Sequence, residues 1–245
     1  LEVEAVNSQA DMFAAREAIE VSDERAREHE MDCTPTPVVR QLFQYLYTDG
    51  GTHYPTAGDV FLDPSAGAGV FGMVCAELCK NFVRRIAVEP RCEEYGNLAQ
   101  HYHETWRGTL LSGAAMLADI GPVDLVATNP PFSHAIEFVR RLLPCLSESG
   151  EMWLLQLDDF GQRSRAGRDL FASWETRPTD QLRITGTIGF RPDGKTDSRS
   201  YSWWGWRRED MCKHRGTWST RNLPCLPAQD RKWKTTRPGE EWRHA

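Results

Sequence analysis

From residue 58 the chain alternates between short apolar runs and longer amphipathic stretches. Asp59-Val60-Phe61-Leu62-Asp63, Val83–Val88, Val123–Thr128 and Met152–Leu157 read as strands, and Met116–Ile120 as a weaker one. Between them Gly69–Lys80, Arg91–Thr105 and Ala135–Leu146 carry apolar residues at helical spacing. Strands alternating with helices predict an α/β fold with a mostly parallel sheet and helices on both faces. Gln181–Phe190 and Tyr201–Trp206 are rich in β-branched and aromatic residues, which predicts an antiparallel pair at one sheet edge.

The flanks differ. Residues 7–30 have helical spacing and a strongly acidic end at Glu28 and Glu30, so 1–32 is expected to be a helical extension. Cys33-Thr34-Pro35-Thr36-Pro37 is expected to be extended, because proline restricts both itself and the residue before it. Val38–Tyr47 is again helical in spacing, and Gly50–Gly58 is a loop by composition. The main domain is expected over 33–207. The basic tail 208–245 has no clear periodicity and holds Trp218, Trp233 and Trp242.

Composition adds bounds. The 245 residues are 40% hydrophobic and 26% charged, as in a globular protein with a sizeable core. No run of 18 apolar residues predicts a membrane span. Seven cysteines at irregular spacing, without a CxxC pair, fit reduced thiols in a cytoplasmic protein better than a disulfide framework or a metal site. The net charge of −6 argues against a nucleic-acid partner until it is divided. Residues 207–245 carry ten Lys/Arg against five Asp/Glu, so the acidic excess sits in the body of the chain.

Two motifs carry the candidate chemistry. Asp63-Pro64-Ser65-Ala66-Gly67-Ala68-Gly69 follows the first strand and opens a helix, where glycines let the backbone turn sharply and approach a ligand. Glu89 ends the next strand, where a carboxylate can bridge the two hydroxyls of a ribose. Gly67 to Gly72 also matches GxGxxG, so the loop alone leaves a dinucleotide and S-adenosylmethionine both open. The second motif is Asn129-Pro130-Pro131-Phe132, at the end of the Val123–Thr128 strand. It offers carbonyl acceptors beside an aromatic ring, which suits a planar base carrying an amino group.

On these residues the chain resembles the class I S-adenosylmethionine-dependent methyltransferases, and among them the enzymes that methylate adenine N6 in DNA. The resemblance implies a Rossmann-like methyltransferase fold, with S-adenosylmethionine as cofactor, S-adenosylhomocysteine as product and no metal. Asp63, Ser65, Gly67 and Gly69 match the cofactor loop and Glu89 the ribose-binding acid. Asp119 falls where the family places a residue near the cofactor's adenine. Thr34 and Pro35 resemble the segment that closes over the methionine end. Asn129, Pro130, Pro131 and Phe132 match the catalytic element, with Asn129 also near the cofactor. Arg165, Arg168, Leu170 and Phe171, then Asp197-Ser198, Tyr201 and Trp203, are similar to small phage and prophage methyltransferases. The glycine loop preceding Asn-Pro-Pro-Phe without a large insert is the gamma-like order.

A base in a duplex cannot reach such a pocket, so the target must be flipped or single-stranded. Arg163, Arg165, Arg168, Arg199 and Arg207 are the candidate phosphate contacts. One of Trp203, Trp204 and Trp206 is a candidate for base stacking. DNA is the expected partner, with no membrane. RNA, a protein glutamine, a non-catalytic subunit of a methyltransferase complex and a homodimer stay open. So little chain lies outside the fold that a short or loosely read target sequence is expected.

Overall fold

The computed structural model describes residues 34–47, 59–79, 82–91, 98–111, 114–190, 198–213, 218–227 and 230. The expected extension over 1–32 lies outside the described residues. Helix α1 (Thr36–Tyr47) starts two residues before its expected position. Pro37 sits in its first turn, where a missing N–H costs nothing, and the Pro35 carbonyl accepts from Val38 N and Val39 N. The helix buries Val38, Val39, Leu42, Phe43, Tyr45 and Leu46.

Strand β1 (Val60–Asp63) leads through the glycine loop into α2 (Val70–Leu78), and β2 (Arg84–Glu89) follows. The next element is strand β3 (Glu104–Arg107). Its first two residues, Glu104 and Thr105, fell within the expected helix Arg91–Thr105, because a half-exposed edge strand lacks an apolar run. Ala114–Ile120 is helix α3, not a weak strand from Met116. Strand β4 is Val123–Thr128. Helix α4 (Ala135–Leu142) stops earlier than expected, at a 3-10 turn over Leu143–Cys145 that contains Pro144. Strand β5 (Leu146–Leu157), helix α5 (Arg165–Ala172), strands β6 (Asp180–Arg183) and β7 (Tyr201–Arg207), helix α6 (Arg208–Lys213) and strand β8 (Ser219–Asn222) complete the order.

These strands form one sheet in the order β3-β2-β1-β4-β5-β7-β6-β8. β3, β2, β1, β4 and β5 are mutually parallel. β7 runs antiparallel to β5 and β6, and β8 adds parallel to β6. The sheet therefore continues past the expected boundary at 207, and Leu223 beyond β8 is buried in the core. Side chains alternate between faces. Phe61, Ala87, Leu125, Trp153, Leu155 and Trp203 pack with α1 and α2, and Leu62, Ile86, Val126, Leu154, Trp204 and Trp206 with α4 and α5. Trp203 and Trp204 thus face opposite ways. Trp203, Trp204 and Trp206 are all buried, which removes the base-stacking role and makes them core. Among the described residues no helix is long and apolar enough to cross a membrane.

Candidate functional site

Parallel strands place all their carboxyl ends at one edge. Asp63, Glu89, Thr128 and Leu157 end β1, β2, β4 and β5 there. The chain turns to opposite sides of β1 for β2 and β4, so the crevice above β1 and β4 is the switch point where open α/β sheets bind ligands. Both sequence motifs lie at this edge.

In the glycine loop Gly67 (φ 50°) and Gly69 (φ 85°) hold the left-handed backbone that side chains resist. Gly69 N donates to Ala66 O (2.8 Å) and Ala66 N to Val88 O (3.1 Å), which ties the loop to β2. Asp63 is fully buried. Its Oδ2 accepts from the Tyr102 hydroxyl (2.7 Å), which in turn accepts from Gly72 N (2.8 Å). Burial pushes the Asp63 carboxyl up to about 7, against the pull of the Tyr102 hydroxyl bond; the like charge of Glu89 adds to the rise. Gly72 is needed because a Cβ there would lie 2.3 Å from the Tyr102 ring. The last glycine of the GxGxxG match therefore makes room for an aromatic side chain.

Glu89 is buried and accepts four hydrogen bonds. Gly67 N (2.7 Å) and Arg91 Nη2 (3.5 Å) reach Oε2; Arg91 N (3.0 Å) and Arg91 Nε (2.7 Å) reach Oε1. A ribose would share or replace the Arg91 contacts. Tyr102 and Arg91 were not among the residues singled out from sequence. Tyr102 fell inside an expected helix, and nothing local marks it as reaching Asp63.

Asp119 takes a different place from the expected one. It is exposed on α3, which leads through Gly121 into the amino end of β4, at the edge opposite Glu89. The residues following β3, beside Glu89, are Gly108 and Thr109. Gly108 N donates to Glu89 O (3.4 Å), and the Thr109 hydroxyl accepts from Leu111 N (2.9 Å).

At the end of β4, Asn129 Nδ2 donates to the Thr34 hydroxyl (3.0 Å), just ahead of α1. Thr34 is buried. The Pro130 carbonyl accepts from Gln156 Nε2 (3.5 Å), and the Pro131 carbonyl from His134 N (2.9 Å). Phe132 is half-buried against Tyr201 (ring centroids 5.8 Å apart) and Phe190 (6.4 Å). Phe190 and Tyr201 meet edge to face at 4.9 Å, so three rings brace one another.

The arginines divide. Arg163, Arg165, Arg168 and Arg199 are exposed near the carboxyl edge. Asp159 lies 3.4 Å from Arg163 and Asp169 4.0 Å from Arg165, so this surface is mixed in sign. Arg207 lies elsewhere. β7 is antiparallel, and Arg207 pairs in register with Glu151, well back along β5 from the site. Its guanidinium is nearly buried, 3.4 Å from Asp180 and 3.8 Å from Glu151. It stacks over Trp153 at 5.6 Å. Arg207 is a structural cation, not a phosphate contact.

No protein-family model and no curated relative matches the chain. Solved structures do. A modification subunit assigned to a type I restriction enzyme from Vibrio vulnificus YJ016 is 15% identical, with TM-score 0.58, over 96% of this chain and 56% of its own. The type I restriction-modification methyltransferase subunit from Streptococcus thermophilus is 14% identical, with TM-score 0.57, over 71% and 44%. The EcoKI M protein is 12% identical, with TM-score 0.54, over 82% and 50%. The chain spans about half the length of these proteins. The likeness shows the fold, which is the Rossmann-like methyltransferase fold.

Proposed function

We propose that this chain transfers a methyl group from S-adenosylmethionine to the exocyclic N6 amine of adenine in DNA. The observation that carries the reading is the meeting of two independent motifs at one sheet edge. A glycine cradle between Asp63 and Glu89 lies at the ends of β1 and β2, and the Asn129-Pro130-Pro131-Phe132 loop at the end of β4. The donor set fits a cationic nucleoside cofactor. Gly67 and Gly69 admit it closely, Glu89 suits ribose hydroxyls, and Asp63 offers a buried carboxyl to a positive group. Ser65 and Pro35 complete the expected contacts.

When bound, S-adenosylmethionine supplies an electrophilic methyl on a sulfonium. The chain's part is position and electrostatics. An aromatic amine is a poor nucleophile because its lone pair is shared with the ring. Asn129 and the Pro130 carbonyl accept its hydrogens and localise that lone pair. A carbonyl has two acceptor sites, so Pro130 can serve the amine while holding Gln156. Phe132, stiffened by Tyr201 and Phe190, is the stacking surface for a flipped base. Arg163, Arg165, Arg168 and Arg199 contact phosphate, which gives affinity without sequence information.

The test is transfer of tritiated methyl from S-adenosylmethionine to DNA, RNA and protein offered separately. Label in N6-methyladenine of DNA is the expected result. Label confined to RNA or to glutamine moves the reading to that substrate, and no label in any of them removes it.

A further inference from the structure

The resemblance suggested that Thr34 touches the cofactor. The structure points to a different task. Thr34 lies in the segment that enters α1, 95 residues from Asn129 in sequence, yet its hydroxyl accepts from Asn129 Nδ2 at 3.0 Å. Thr34 is 5% exposed, so water does not readily replace that bond. The residue is held in turn. Pro35 O caps the first turn of α1 through Val38 N and Val39 N. Further along, Gln41 Nε2 donates to Pro224 O at 2.6 Å. Arg221 donates to the Tyr45 hydroxyl at 3.2 Å and lies over its ring.

We propose that Thr34 is a positioning residue for Asn129. It fixes the donor end of the side-chain amide and so sets how the amide meets the target amine. The inference rests on the methyl-transfer reading for its consequence, but not for the contact itself. An amide at the end of a strand can rotate about its terminal bond. Only one orientation offers its oxygen to an N–H donor, and a misplacement of about 1 Å in such a group costs on the order of 100-fold in rate.

The experiment compares wild type, Thr34→Val and Thr34→Ser. Turnover on DNA, the KM for DNA and calorimetric binding of S-adenosylmethionine are measured. We expect Thr34→Val to lower kcat about 10- to 100-fold, with cofactor affinity held within about twofold, and Thr34→Ser to restore most of the rate. A weakened cofactor affinity with kcat retained would return Thr34 to the cofactor and overturn the proposal. A second readout does not depend on catalysis. The side-chain amide signals of Asn129, identified by their loss in Asn129→Ser, should shift and exchange faster in Thr34→Val than in wild type or Thr34→Ser. Unmoved signals overturn the positioning role. Moved signals in a protein that methylates nothing keep that role and remove the methyl-transfer reading.

Discussion

The two edges of the sheet bury carboxylates under different terms. Towards the amino edge, Glu151 and Asp180 lie within 3.8 and 3.4 Å of Arg207, and Trp153 Nε1 donates to Glu151 at 3.0 Å. Opposite charges compensate one another there within the fold. At the carboxyl edge Glu89 has Arg91 at 2.7 Å, but Asp63, equally buried, has only hydrogen bonds, from the Tyr102 hydroxyl and Ser65 N, and the like charge of Glu89 beside it. One edge is electrostatically finished. The other holds a carboxyl that burial keeps reluctant to ionise, and a positive group such as the proposed sulfonium cofactor would favour its charged form.

Arg207→Ala should break the finished edge with the largest effect. It leaves two buried carboxylates without their cation, which costs about 3–5 kcal/mol. Chemical denaturation should show that loss, and a change under 1 kcal/mol would mean the cluster is not structural. Asn129→Ala should do the reverse. We expect methyl transfer to fall by about 100- to 1000-fold, while cofactor binding survives. Retained turnover in the tritium assay would end the catalytic assignment.

Gly72→Ala tests the link between the edge and its support. The added methyl meets the Tyr102 ring, and overpacking of this kind costs about 1–3 kcal/mol. It should also weaken cofactor binding by displacing the hydroxyl from Asp63. A melting temperature equal to wild type would show that the ring moves aside freely. The last test is a pH dependence. Because the folded Asp63 holds its proton to about 7, the folded state binds more protons than the unfolded chain between about pH 4 and 7. Its contribution to stability is full below pH 4 and is lost as pH rises through 7. Affinity for a cationic cofactor should move oppositely, tightening about tenfold from pH 6 to 8. Asp63→Asn should flatten both trends relative to wild type, and parallel curves would refute the assignment.

What could be read from the sequence follows burial. β4 and β1 are short apolar runs that end in a chemically marked residue, Asn129 or Asp63, so pattern and motif agreed. β3 and β8 are edge strands. Glu104-Thr105-Trp106-Arg107 and Ser219-Thr220-Arg221-Asn222 show no apolar run because neither is enclosed. The Ala-rich stretch 114–120 is too short for its period to separate helix from strand, and the misplacement of Asp119 came from that error. Tyr102 and Thr34 reach Asp63 and Asn129 across 39 and 95 residues, and no local pattern carries such pairings. Arg207 shows the same lesson for charge. A basic residue near the site in sequence was carried to the opposite edge by one antiparallel strand.

The strap of residues 221–224 across α1 has a consequence for the order of assembly. Gln41 meets Pro224 over 183 residues of sequence. Contacts of such separation form late, because the chain between them must first be made and folded. During synthesis the parallel strands and the glycine loop can come together while α1 still lacks its strap. On this view the glycine loop takes its shape before α1 and the Asn129 loop are steadied.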